Sequence, residues 1–291
     1  MSASAHSVTV IGLGPMGQAM AAAYLDRGYE VTLWNRTPSR ADALVERGAT
    51  LAESVEQALS ANELVILSLT DFDAMYAILG QAEGALAGRT VANLSSDTPE
   101  KARAGARWVT ERGGTHLTGG VLVPPPMIGT ADASTFYSGP REAYDKHREA
   151  LEVITGHSDY RGEDQGLAAL MYQLNMAIFW PSMIAFWQAV AVAAAHGISA
   201  QEIAPYATEN FGGMGHFIDF YAPRIDAGDH AGDVDRAAMG LASMEHVVHT
   251  AADAGVDTAF PDAVHDLFRR VVEAGYGADS FSRAVELMKK G

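Results

Sequence analysis

The chain has no cysteine. That excludes disulfides, thiolate nucleophiles and thiolate metal ligands, and it suits a reducing cytoplasm, the expected location. Lysine is absent from a long stretch, with none between Lys146 and Lys289. No ammonium acid–base group is available there. Basic residues number 20 against 36 acidic ones, and the net charge of −16 repels a phosphate backbone, so nucleic acid is not an expected partner. His6, His157, His249 and His265 show no metal-ligand spacing, and no metal site is expected. The opening "MSASAHSVTV" lacks a basic segment followed by an apolar run, so no secretory signal is expected.

What remains is the composition of an ordinary globular protein, and 291 residues suggest two domains. The first half alternates strand-like and helix-like segments. "SVTVIGL" (Ser7–Leu13), "EVTLWNR", "ELVILSL" (Glu63–Leu69) and "TVANLSS" (Thr90–Ser96) read as strands. "PMGQAMAAAYLDRG" reads as a helix, with Pro15 in its first turn and Gly28 as its stop, and Thr98-Pro99 open another. "THLTGGVLV" and "STFYSG" follow as later strands. This alternation implies a mostly parallel sheet covered on both faces. After Gly162 the strand pattern ends and long helical segments follow.

The run from Glu163 to Ala195 predicts one helix, about 50 Å long at 1.5 Å per residue. Pro181 is expected to bend it. It is apolar nearly all round, yet carries Tyr172, Gln173 and Asn175 near its start. Those groups, with Ser182 and Gln188 and no basic flank, argue against a membrane span. A helix so apolar needs cover on every side, which implies a second copy of the chain.

"VIGLGPMGQAM" places Gly12, Gly14 and Gly17 in GxGxxG spacing, after a strand and opening a helix. This is the context of a dinucleotide-binding loop, which Leu13, Pro15 and Met16 complete. NAD sites place a carboxylate at the end of the second strand to hold the ribose 2′-OH. This chain has Asn35 there, then Arg36, Thr37 and Arg40. Two guanidiniums and a hydroxyl suit a 2′-phosphate, so NADPH is the expected cofactor. Leu69 and Thr70 after the third strand and Asn93 at the end of the fourth are further expected contacts. The expected fold class is α/β. The expected layout is a Rossmann domain (1–162) joined by a long interdomain helix (163–195) to an all-α C-terminal domain (196–291).

"GLGPMG", "NRTPSRADAL", "NLSSDTPE", "VPPPMIGT" and "MEHVVHTAADAGVDTAFPDA", in that order over essentially the whole chain, resemble the NADPH-dependent imine reductases of the β-hydroxyacid dehydrogenase superfamily. The resemblance shows two departures from the dehydrogenases. Their long helix opens with a glycine and, six residues on, an acid–base lysine; counting from Gly166 gives Tyr172. Their Ser-Gly-Gly loop for a substrate carboxylate becomes about Leu122-Val123-Pro124.

Both losses suit a chiral-amine-forming reduction of a cyclic imine or iminium. A lysine beside an iminium would be repulsive by about 4 kcal/mol at about 4 Å and an effective dielectric near 20. A tyrosine hydroxyl can donate a hydrogen bond or a proton without that penalty. The resemblance therefore implies Tyr172 as proton donor or orienting group, with Asn175, three residues on, in support. It implies a pocket from Val121, Leu122, Val123, Phe179, Trp180, Phe211, Met214, Phe217, Met239, Ser243 and His246. It also implies a domain-swapped homodimer that shares its active sites, and activity in reductive amination. Two other readings stay open from sequence: a hydroxyacid dehydrogenase with an unusual acid, and a non-catalytic NADP(H)-binding redox sensor.

Overall fold

The computed structural model describes residues 6–289. Among these residues eight strands form one sheet: β1 (Ser7–Ile11), β2 (Glu30–Trp34), β3 (Thr50–Leu51), β4 (Leu64–Leu67), β5 (Thr90–Asn93), β6 (Thr115–Val121), β7 (Ser134–Ser138) and β8 (His157–Tyr160). Their order is β3-β2-β1-β4-β5-β6-β7-β8, and every pair is parallel except β6 with β7. β3 and β8 escape sequence reading. One is two residues long and the other, "HSDY", has no buried alternation to announce it.

Helices α1 (Pro15–Asp26), α2 (Asp42–Val45), α3 (Val55–Ala61), α4 (Phe72–Leu79), α5 (Pro99–Thr110) and α6 (Arg141–Glu152) accompany the sheet. Successive side chains of a strand face opposite sides, and both sides are buried here. Val8, Val10 and Ile66 pack with Met20, Tyr24 and Leu151 on one face. Val65, Leu67 and Val91 pack with Leu59, Phe72, Met75 and Val109 on the other. Each fully buried Val, Leu or Phe contributes about 1.5–3 kcal/mol. The expected caps form: Thr98 Oγ1 accepts from the Lys101 N–H at 3.3 Å, and Gly28 ends α1 at φ +77°.

α7 runs Gly166–Ala195, and Pro181 lies inside it without interrupting it. The chain divides into two compact units, 1–177 and 178–291. The division falls one turn before Pro181, which lacks the N–H that would pair with the Ala177 carbonyl. Within the second unit, α8 (Ala200–Asp226) starts in a capping box between Ser199 and Glu202, and α9 (Ala237–Asp253), α10 (Ala259–Val271) and α11 (Ala284–Met288) follow. α8 buries none of its residues, and Tyr206 and Phe217 are 74% and 57% exposed. By length and composition α7 could cross a membrane, and none of its most apolar window is buried within the chain.

Candidate active site

The chain leaves β1 toward β2 and β3, then returns to β4 on the other side of β1. That reversal opens a crevice beyond the carboxyl ends of the strands. A cleft of about 660 Å³ lies there, lined wholly by first-unit residues. Its floor is the glycine loop between β1 and α1. Gly12 has φ +95°, and a Cβ on Gly17 would sit 1.9 Å from the Gly12 carbonyl oxygen, so helix and loop meet backbone to backbone. A Cβ on Gly14 would meet nothing within 4 Å, which leaves that side of the loop open to the cleft. Among the described residues, no side chain caps the N-terminus of α1.

Asn35 ties this loop to the end of β2. Its Oδ1 accepts from the Leu13 N–H at 2.9 Å, and its Nδ2 donates to the Thr37 carbonyl at 2.8 Å. Arg36, Thr37 and Arg40 line the same end of the cleft and are exposed. Most of the other described arginines are ion-paired with carboxylates; these two have no such partner among the described residues, although the protein is strongly acidic.

The opposite wall comes from the loops after β4 and β5. Ser68, Leu69, Thr70 and Asp71 line it, and Asp71 caps α4 by accepting from the Ala74 N–H at 2.8 Å. Leu94, Ser95, Ser96 and Asp97 continue it. Ser95 Oγ accepts from the Leu69 N–H at 3.1 Å, joining the two loops. Gly119, Gly120, Val121 and Val123 from β6 and its following loop join the lining, with Ala169 and Tyr172 from α7. Tyr172 is half-buried. Gln173 holds α7 against the β5 loop, donating to Ser96 Oγ at 3.2 Å and to the Asp97 carbonyl at 3.1 Å. At the start of α7, Arg103 grips Asp164 with two bonds of 2.8 Å and holds its carboxyl down at about 2. No cluster of three metal-ligating side chains occurs among the described residues.

Residues 7–162 match the family model for the NAD binding domain of 6-phosphogluconate dehydrogenase, and residues 164–290 match that for the NADPH-dependent reductive aminase-like C-terminal domain. An NADPH-dependent reductive aminase of Aspergillus oryzae is 31% identical over 98% of this chain and 97% of its own. An imine reductase of Streptomyces aurantiacus is 76% identical, superposes with a TM-score of 0.95, and is covered over 100% of its length by 98% of this chain. The chain belongs to the imine reductase and reductive aminase family. A further solved relative, a reductive aminase of Aspergillus terreus in complex with cyclohexanone and allyl amine, is 31% identical with a TM-score of 0.94 over 98% of this chain and 99% of its own. The N-terminal Rossmann domain and helical C-terminal domain expected from sequence are those of this family.

The structure brings together Gly12, Leu13, Gly14, Pro15, Met16, Asn35, Arg36, Thr37, Arg40, Leu69, Thr70, Val121, Val123 and Tyr172. Gly17 lies behind the loop as its packing partner. Other expected contacts sit elsewhere. Asn93 is fully buried, donating to Met75 Sδ at 3.3 Å and accepting from the Ser95 N–H at 3.0 Å; it supports Ser95 from behind the lining. Leu122 is absent from the lining, and its N–H pairs with the Ser134 carbonyl. Asn175 returns its amide to the Met171 carbonyl at 2.9 Å, so it does not orient the Tyr172 hydroxyl in this arrangement. Phe179, Trp180, Phe211, Met214, Phe217, Met239, Ser243 and His246 belong to the second unit and are exposed there. Sequence reasoning missed Ser95, Ser96, Asp97, Gly119, Gly120 and Ala169. The strand-end rule points to the first three, since they directly follow β5, but nothing local marks the two glycines.

Proposed function

We propose that this protein is an NADPH-dependent imine reductase that converts the C=N bond of an imine or iminium to an amine and also supports reductive amination of a ketone. The observation that carries this reading is the cleft itself. Its arginines stand at the β2 end and Tyr172, with no lysine, lines it from α7. The residues present fit NADPH. The open side of the glycine loop and the uncapped start of α1 hold the pyrophosphate, while Arg36, Thr37 and Arg40 hold the 2′-phosphate. NADPH supplies a hydride when bound.

The chain's own residues do the rest. Val121 and Val123 give the reacting end an apolar wall that excludes water. The Tyr172 hydroxyl donates to the nitrogen of a neutral imine, or its oxygen accepts from the N–H of an iminium, and orients the substrate either way. A neutral donor adds no repulsion to a cationic iminium. A lysine would favour the alkoxide of a hydroxy acid instead, and none lines this cleft.

A second copy of the chain covers the apolar faces of α7 and α8 and brings second-unit side chains such as Phe217, Met239 and His246 to complete the pocket. The exposure of Ile178, Trp180, Tyr206 and Phe217 supports this homodimer, since so much apolar surface is unusual on a monomer. The same absence of cysteine suits a cytoplasmic enzyme.

The test is NADPH consumption against a panel of cyclic imines and ketone–amine mixtures, beside NADP+ reduction against β-hydroxy acids. Turnover of the imines supports the reading; turnover of a hydroxy acid alone replaces it with the dehydrogenase. Turnover of none, with tight NADPH binding, replaces it with a sensor. Tyr172→Phe should lower kcat on imines, and unchanged rates across pH would remove Tyr172 from the chemistry. Light scattering should give twice the chain mass.

A further inference from the structure

β6 carries His116, Thr118 and Gly120 on one face, each two residues from the next. All three meet the start of α7. The His116 Nδ1–H donates to Gln165 Oε1 at 3.1 Å, and Gln165 Nε2 donates back to the His116 carbonyl at 2.6 Å. The Thr118 hydroxyl donates to the same Gln165 Oε1 at 3.0 Å. Ser138 Oγ of β7 accepts from the Ala168 N–H at 3.1 Å. Ala168 and Tyr172 stand four apart on one row of α7, and Gln165 directly precedes the helix. These residues run along the β6 row, with Gln165 at His116 and Thr118 and Tyr172 at Gly120.

At Gly120 the fit is closest. A Cβ there would lie 2.8 Å from Tyr172 Cβ, and 3.3 Å from both Tyr172 Cγ and the Ala168 carbonyl oxygen. Carbon atoms pack best at about 3.5–4.0 Å. Tyr172 Cβ is bonded directly to the helix backbone, so no side-chain rotation relieves the contact, and α7 itself would have to move. Gly120 and Tyr172 also line the same cleft.

We infer that Gly120 is a positioning residue for the reaction: its bare backbone, with Gln165 clamping the other end of the row, sets how deeply Tyr172 seats in the cleft. The inference rests on the reading that the Tyr172 hydroxyl acts on the substrate nitrogen. A small displacement of such a group suffices, since about 1 Å of misplacement can cost 100-fold in rate.

The experiment is a double-mutant cycle of Gly120→Ala and Tyr172→Phe in the full-length enzyme. It measures kcat and KM on a cyclic imine and NADPH affinity by fluorescence titration. Gly120→Ala alone should lower kcat by about 10- to 100-fold. NADPH affinity should stay within about twofold, because the glycine loop and arginines are untouched. In the Tyr172→Phe background the same change should cost nothing further. A kcat unchanged by Gly120→Ala, or an equal loss in both backgrounds, overturns the inference. Full activity of Tyr172→Phe alone overturns the reading beneath it, so the two failures are distinct. If Gly120→Ala does not fold, Thr118→Val removes one hydroxyl from the same row without adding a clash. Its expected kcat loss of about threefold should likewise vanish in the Tyr172→Phe background. An equal loss in both, or none in either, overturns the inference.

Discussion

Replacing Arg36 and Arg40 by glutamine should convert a strong preference for NADPH into near indifference between NADPH and NADH. Both guanidiniums line the cleft, and neither has a carboxylate partner among the described residues. Each is therefore free to donate to a dianionic phosphate. A hydrogen bond to a charged group contributes about 1.5–3 kcal/mol. Solvent exposure places these two at the lower end. About 1.5 kcal/mol corresponds to roughly tenfold in affinity. Each single change should then raise the NADPH KM about tenfold. The double change should raise it by somewhat less than about 100-fold, because both arginines share one phosphate. The NADH constant should stay within about twofold, as for ordinary surface substitutions. The gap between the cofactors should narrow with salt, since the screening length falls from about 10 Å at 0.1 M to about 3 Å at 1 M. Initial rates on a cyclic imine, with both cofactors varied at two ionic strengths, measure all of this. If both cofactor constants rise together, or NADPH binding is unmoved, the 2′-phosphate is held elsewhere.

Asn35→Asp keeps the acceptor for the Leu13 N–H but sets a carboxylate against the Thr37 carbonyl and beside the phosphate end. The ratio of kcat/KM for NADPH over NADH should fall about tenfold, which steady-state kinetics with both cofactors reads. Gly17→Ala drives a Cβ to 1.9 Å from the Gly12 oxygen, so α1 must part from the loop. The expected cost is about 1–3 kcal/mol or more, seen as a lower Tm and weakened binding of both cofactors alike. Burial pushes His116 from 6.5 to about 4, so the fold holds it neutral. Its folded value is depressed, so the unfolded chain binds the extra proton between those two values. The stability it contributes is complete above about pH 6.5 and is lost as pH falls toward 4, by roughly 3 kcal/mol. Urea unfolding from pH 4 to 8 should show that slope, and His116→Asn, which keeps an N–H for Gln165, should flatten it.

Much of the cofactor end was legible because its information is local in the chain. The three glycines fall within one short loop and helix start, and Asn35, Arg36 and Arg40 within a few residues after β2, and short backbone geometry leaves each group few arrangements. Even there, residue type and residue task separated. Sequence marks Asn35 as the missing carboxylate, yet its amide serves the Leu13 N–H and the Thr37 carbonyl. Asn93 shows a second limit. The end of β5 is a sound place to look, but the pleat decides which way a residue faces, and Asn93 turns toward Met75. β3 went unseen because two residues carry no period.

The sequence by itself determined the nucleotide loop, the cationic end that suits a 2′-phosphate, and the absence of lysine from Lys146 to Lys289, against which the family resemblance sets Tyr172. Those are matters of which groups exist and how few bonds separate them. Only the tertiary structure decided where that tyrosine sits. Gly120 and Tyr172 are 52 residues apart, and nothing in either neighbourhood announces that one lacks a side chain to make room for the other. The packing of α7, the helix after the last strand, against β6 brings the two together, and packing is a property of the whole sheet and not of any short stretch of chain.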